Sequence, residues 1–178
     1  GYTRIWPVDF SEFIMEAKHD SGVCSVDIAY DSVEILCGTL GGSMGILNTK
    51  TKGYKTILRS PSNDIIKLVI HPSNTFLFTI ETGGIVRIWD ILLRTEMFQF
   101  ISSQDPPICI AAPLELFCVS GYSSGIINVF DIEKSEIIYQ CKPFKVAVSD
   151  LLFIQNFKLL ICMSITGNLY IHDYKNNY

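Results

Sequence analysis

Gly84-Ile85-Val86-Arg87-Ile88-Trp89-Asp90 decides the fold. A glycine opens the stretch, β-branched residues flank one arginine, and an aromatic residue and an aspartate close it. The outline recurs as Gly1-Tyr2-Thr3-Arg4-Ile5-Trp6, Gly42-Ser43-Met44-Gly45-Ile46-Leu47-Asn48, Gly125-Ile126-Ile127-Asn128-Val129-Phe130-Asp131 and Gly167-Asn168-Leu169-Tyr170-Ile171-His172-Asp173. Successive glycines stand 41, 42, 41 and 42 residues apart. Internal repetition at a period in the low forties, each copy built of short β segments, predicts an all-β array with one four-stranded sheet per repeat.

The residues between the glycines keep the same period. An apolar-x-x-apolar-x-apolar pattern begins 19 residues before three of them, at Val23/Val26/Ile28, Ile65/Leu68/Ile70 and Val148/Leu151/Phe153. These predict the inner strand of each sheet. The counterpart at 107–112 is blurred, and Pro106, Pro107 and Pro113 predict a shortened strand there. Middle strands are expected at 33–39, 75–80, 116–120 and 158–164, and outer strands at 10–17, 54–59, 96–101 and 136–141. Turn residues such as His71-Pro72-Ser73-Asn74 and Ser60-Pro61-Ser62-Asn63-Asp64 separate them. No window carries a 3.6-residue apolar period over ten residues, so no helix is expected.

A repeat in the low forties ending in Arg-Ile-Trp-Asp resembles the WD-repeat family. The resemblance implies a β-propeller whose blades are four antiparallel strands. The blade units are expected at 1–18 (partial), 19–60, 61–102, 103–143 and 144–178 (partial). That is about four blades, read as a fragment of a larger propeller because the first unit lacks two strands and one outer strand is due after Asp173. Sheets of this kind bury their faces only against neighbours. Residues 1–178 alone are therefore expected to express poorly or to associate.

Many WD repeats bury a hydrogen-bonded set of His, Ser or Thr, Asp and Trp. Here His19 stands at the histidine position and Thr39 is expected to supply the hydroxyl, but Gly41 replaces the Asp and Leu47 the Trp. Gly83, Ser124 and Thr166 occupy the Asp position elsewhere. The set is expected to be broken in every blade, leaving apolar packing to hold them.

Composition narrows the function. An apolar content of 48% and a mean hydropathy of +0.31 suit sheets buried on both faces and exclude a disordered tail. No apolar run approaches the roughly eighteen residues of a membrane helix. A net charge of −4, with 14 scattered Lys and Arg, argues against gripping nucleic acid or the acidic tubulin surface by charge alone. Six cysteines (Cys24, Cys37, Cys109, Cys118, Cys141, Cys162) form no Cys-x-x-Cys pair and have no histidine at zinc spacing. They read as free thiols in a reducing, cytosolic compartment. The expected partners are other proteins, with no nucleic acid, membrane, small-molecule substrate, metal or cofactor.

Several features invite a chemical reading. Gly38-Thr39-Leu40-Gly41-Gly42-Ser43-Met44-Gly45 looks like a phosphate-cradling loop, but a strand rather than a helix is due after it. His19, His71 and His172 fall at different places in different blades, so no catalytic residues are assigned. Arg4 and Arg87 occupy equivalent positions and read as structural. The candidate contact residues lie on loops entering inner strands and on turns leaving middle strands: 20–22, 61–64, 103–107, 122–124 and 144–145. Ser103, Asp105, Pro106, Tyr122 and Ser123 are the most distinctive. The proline-ordered loop they centre on reads equally as a contact site and as a plain connector.

Further strings resemble the WD-repeat region of large centriolar WD-repeat proteins. They are Arg4-Ile5-Trp6-Pro7-Val8-Asp9-Phe10, Glu16-Ala17-Lys18-His19, Phe100-Ile101-Ser102-Ser103-Gln104-Asp105-Pro106 and Gly121-Tyr122-Ser123-Ser124-Gly125, with Val86-Arg87-Ile88-Trp89-Asp90 between them. Trp6-Pro7-Val8-Asp9-Phe10 is the most specific, because proline follows the tryptophan where aspartate is usual. The resemblance implies a scaffold at the centriole, basal body or cilium, linking microtubules to an inner scaffold, with scaffold components or tubulin assemblies as partners. A generic cytosolic adaptor, such as a ubiquitin-ligase substrate receptor or another ciliary WD protein, would share every one of these fold features.

Overall fold

The computed structural model describes residues 1–60 and 64–174. The rim residues Pro61, Ser62 and Asn63 singled out above lie outside the described residues, as do the positions after Tyr174.

Among the described residues seventeen strands form five antiparallel sheets in chain order. The first holds β1 (Tyr2–Ile5) and β2 (Met15–Lys18). Three four-stranded sheets follow. They contain β3 (Val23–Ile28) to β6 (Gly53–Arg59), β7 (Ile65–Ile70) to β10 (Thr95–Ile101), and β11 (Pro107–Ala111) to β14 (Glu136–Cys141). Between these bounds lie β4 (Glu34–Thr39), β5 (Ser43–Asn48), β8 (Phe76–Glu81), β9 (Ile85–Asp90), β12 (Phe117–Tyr122) and β13 (Ile127–Asp131). The last sheet holds β15 (Val148–Ile154), β16 (Leu159–Ser164) and β17 (Leu169–Asp173), with one 3-10 turn, Gln155–Phe157, before β16. Each sheet is a meander, and the first strands β3, β7, β11 and β15 lie side by side along the inside of the array. This is the arrangement of propeller blades.

The repeat glycine has a steric cause. Gly42, Gly84, Gly125 and Gly167 all sit at φ between +76° and +88°, in the turn from second to third strand. A Cβ on Gly84 would stand 2.4 Å from the Ser102 carbonyl oxygen, and one on Gly125 2.2 Å from that of Phe144. At these two positions the following loop lies directly on the glycine, so a side chain would push it away, whereas Gly167 is held to glycine by its positive φ alone. The aspartate that closes the repeat is equally local. Asp90 Oδ1 accepts from Leu93 N, and Asp131 Oδ1 accepts from Glu133 N and Lys134 N, each closing the turn into the fourth strand.

Apolar side chains meet between neighbouring sheets. Leu36, Met44 and Leu58 pack on Ile65, Leu68 and Leu77. Phe78, Ile80 and Ile88 pack on Ile110, Cys118 and Phe130, and Val119, Ile127 and Val129 on Val148, Leu151 and Cys162. Each such side chain contributes about 1.5–3 kcal/mol by leaving water. All six cysteines are free thiols, and burial pushes Cys109 and Cys162 up to about 12.

Two expectations need correction. The outer strand expected at 10–17 begins only at Met15, because residues 6–14 form a protruding loop. Phe10 N donates to Pro7 O at 3.0 Å, and Asp9 Oδ1 accepts from Ser11 N and Oγ, so turn chemistry replaces strand pairing. The polar set is likewise not broken everywhere. In the β7–β10 sheet, Trp89 Nε1 donates to Thr79 Oγ1 at 3.0 Å, which donates to Glu81 Oε1 at 3.0 Å. Ser60 Oγ completes the chain by donating to Glu81 Oε2 at 2.8 Å. Ser60 replaces the histidine, and Glu81, at the end of β8, replaces the turn aspartate. The Arg87 guanidinium lies 3.7 Å from Glu81 and 3.4 Å from Glu96. Thr39, expected to supply the hydroxyl beside His19, instead closes its own turn against Ser43. His19 Nε2 pairs with Thr3 Oγ1 at 2.9 Å, and Cys37 lies beside that threonine.

Candidate interaction surface

Loops entering the first strand and turns leaving the second share one rim. Leu40 N bonds Gly22 O, Thr82 N bonds Asp64 O, Ser123 N bonds Pro106 O and Ile165 N bonds Ala147 O. The described candidate contact residues lie here, and the polar atoms of Asp105, Ser123 and Asp20 are spent within the chain. Asp105 accepts from Ser123 Oγ at 2.7 Å, Ser124 N at 2.8 Å and Ser124 Oγ at 2.6 Å. Burial pushes the Asp105 carboxyl up, but the bonds from Ser124 and Ser123, with the Lys142 charge, more than reverse this and hold it below the ordinary carboxylate value. Asp20 is lowered too, chiefly by the Ser43 hydroxyl at 2.6 Å, with Arg59 alongside.

The structure thus brings Asp105, Ser123 and Pro106 together and leaves Ser103 and Pro106 exposed. Tyr122 is 3% exposed and packs in the core, at the position that Glu81 holds one sheet earlier, so it offers no surface to a partner. The glycine-rich 38–45 segment is strand, turn and strand, with β5 following directly. Arg4 pairs with Glu16 at 2.6 Å, and Arg87 is buried in the network above, so both guanidinium groups have structural partners. Among the described residues no group of three or more His, Cys, Asp and Glu side chains is placed to hold a metal ion. No described helix is long and apolar enough to cross a membrane.

The opposite rim holds the connections from first to second and from third to fourth strands, and nothing in the sequence reading pointed to it. Its loops are stitched from sheet to sheet. Tyr30 N donates to Asn74 Oδ1, His71 Nε2 to Glu115 O at 2.9 Å, and Leu114 N to Gln155 Oε1. The stitched loops edge a recess of 340 Å³ lined by Asp27, Tyr30, Lys67, Pro72, Leu152 and Gln155. Deeper in, Ser25 Oγ and Asp27 Oδ2 accept from the Leu68 and Ile70 amides of the next sheet. This rim exposes Val8, Phe10, Tyr30, Leu92, Leu93 and Phe157. Ordered loops carrying exposed apolar side chains suit contact with another protein.

His71 makes this rim sensitive to pH. Its Nε2 donates to a carbonyl and its Nδ1 faces Ser73 Oγ and N, an arrangement that only the neutral ring satisfies. Burial lowers its pKa below the ordinary 6.5, against the opposing pull of the Glu115 carbonyl. The unfolded chain therefore binds more protons than the folded chain below pH 6.5, and stability falls as pH drops through that window. Burial lowers His19 in the same direction. Urea midpoints at about pH 7.5 and about pH 5.5 should show the loss, and His71→Gln should reduce it. An unchanged pH slope in that variant would overturn the assignment.

Antiparallel four-stranded sheets with glycine-opened third strands, set side by side by their inner strands, define this chain as a stretch of β-propeller. Its sequence is similar to WD repeat-containing protein 90. It is 29% identical to the Xenopus tropicalis protein over 174 residues, 97% of this chain and 9% of that protein. It is 30% identical to the Mus musculus protein over 172 residues, 95% of this chain and again 9% of that protein. Centriole proteome protein 16 of Chlamydomonas reinhardtii is 25% identical over 173 residues, 96% of this chain and 8% of that protein. The chain thus spans less than a tenth of the length of these curated relatives. Among solved structures, the β-propeller domain of Cps50 (Swd1) from Myceliophteria thermophila superposes with a TM-score of 0.78. At 15% identity, over 92% of this chain and 55% of that one, it shows the fold alone. No protein-family model matches the chain.

Proposed function

We propose that this chain is a non-catalytic, protein-binding segment of a WD-repeat scaffold at the centriole or basal body, linking microtubules to an inner scaffold. The observation that carries the binding role is the stitched rim, where ordered loops present exposed apolar side chains from several sheets. Support for the location comes from one relative named for the centriole, Centriole proteome protein 16, which aligns over nearly the whole chain. The acidic balance favours scaffold proteins over direct seating on the acidic tubulin surface. Super-resolution imaging of the tagged full-length parent protein against tubulin tests the reading. A ring on the inner side of the microtubule wall is expected, and a diffuse cytosolic or axoneme-wide signal would overturn it.

A further inference from the structure

The connection from β1 to β2 stands apart from its counterparts. It runs over nine residues, 6–14, where the equivalent connections at 49–52, 91–94 and 132–135 each take four. The extra length is ordered at its base and apolar at its tip. Trp6 and Phe13 meet edge to face at 5.8 Å, and the Arg4 guanidinium, already paired with Glu16, lies 5.2 Å above the Phe13 ring. Ile14 N bonds Ile5 O at 2.8 Å, extending the strand pair into the loop. The Pro7–Phe10 turn and the Asp9–Ser11 bonds then fix the tip, where Phe10 holds φ +53°. A bulky aromatic residue in that region is uncommon and needs surrounding structure to keep it there. The result is a preformed projection with Val8 97% and Phe10 74% exposed. Asp9 and Glu12 are exposed beside them.

Neighbouring blades do not cover this position. The equivalent turn at 91–94 has a four-stranded sheet on either side, yet Leu92 and Leu93 stay 77% and 73% exposed. A loop five residues longer reaches further out.

We propose that residues 6–14 are a docking finger that seats Val8 and Phe10 in an apolar groove of a partner protein whose rim carries lysine and arginine. The apolar tip sets the groove and the two carboxylates set its charge, since an acidic surface such as that of tubulin would repel Asp9 and Glu12. Because the finger is already folded, little ordering entropy opposes its insertion. The inference rests on the reading of the chain as a protein-binding segment and specifies which part binds.

The test uses the full-length parent protein in cells, with p-benzoylphenylalanine in place of Phe10 or, for comparison, of Leu92. After irradiation, mass spectrometry maps the crosslinked residues. The expected result is a crosslink from position 10 to one segment of another protein, bearing apolar residues with lysine or arginine among them. Asp9→Lys with Glu12→Lys should cut its yield roughly tenfold or more. Four results overturn the finger: a crosslink within the parent chain, one to lipid or an acidic surface, a yield indifferent to charge reversal, or no crosslink. A crosslink from position 92 alone overturns the finger and leaves the wider platform standing. A crosslink from position 10 in a protein absent from the centriole overturns the proposed location and leaves the finger standing.

Discussion

Glu81→Ala should lower the unfolding free energy by about 3–5 kcal/mol, a large share of a domain's total stability. Glu81 is 0% exposed, and its two carboxylate oxygens accept from Thr79 and Ser60. Removing it strands those hydroxyls and leaves the Arg87 guanidinium, itself 4% exposed, with Glu96 as its one remaining carboxylate beside the neutral Gln99 and a long 3.5 Å bond to Ser60 Oγ. A charge left buried without its partner is the costly outcome, more so than the net value of the pair. Urea denaturation followed by the fluorescence of buried Trp89 would read the loss, and the thermal midpoint should fall by roughly 10 °C. Glu81→Leu combined with Arg87→Met, which removes both charges, should recover most of the stability. Trp89→Phe, which removes a single donor to Thr79, should cost only about 1 kcal/mol. A Glu81→Ala loss below about 1 kcal/mol would show that the network does not hold these sheets together.

That network marks the limit of what was legible in the sequence. Period and strand type were visible because both are imposed locally: the glycine by its positive φ, the strands by apolar spacing, the closing aspartate by the turn it caps. The inner strands start on Val23, Ile65 and Val148 as the spacing predicts, and β11 is shortened to five residues among its prolines. Polar partnerships were not visible, because they join residues on different strands and depend on which face each side chain takes. Thr39 and Cys37 are two residues apart on one strand, and only the three-dimensional register places Cys37, not Thr39, beside Thr3 and His19. Glu81 ends an apolar strand, and a carboxylate in that position was the signal available. Tyr122 looked like a loop residue because the turn following it was legible, whereas the strand in fact continues through it into the core. The length of the 6–14 connection was countable from the repeat. Reading 10–17 as strand concealed it, although Pro7, Asp9 and Ser11 are turn residues.

The isolated 178-residue chain should self-associate, and it should do so through one end. The outward face of the β15–β17 sheet is largely apolar, with Asp150 opposite Met163 as the charge on its inner strand. Leu152 pairs across to Ile161, Ile161 to Ile171, and Met163 to Leu169, with four of these five side chains exposed. The outward face of β1 and β2 carries Tyr2, Arg4, Glu16 and Lys18 instead, with Arg4 and Glu16 already paired. Each large apolar side chain left in water forfeits about 1.5–3 kcal/mol that a second copy could recover, whereas the charged end has little to gain. Light scattering on the eluting protein should therefore give a mass above the 20.0 kDa monomer that rises with concentration. Met163→Lys with Leu169→Glu places opposite charges on a directly paired position, which the sheet tolerates while the face loses its apolar character. That variant should elute as the monomer with unchanged β-sheet circular dichroism, whereas Tyr2→Lys should leave the association as it was. A monodisperse unsubstituted chain with a cooperative melt would sink the prediction. Association that survives the charged pair but yields to a change at β1 would move it to the other end of the array.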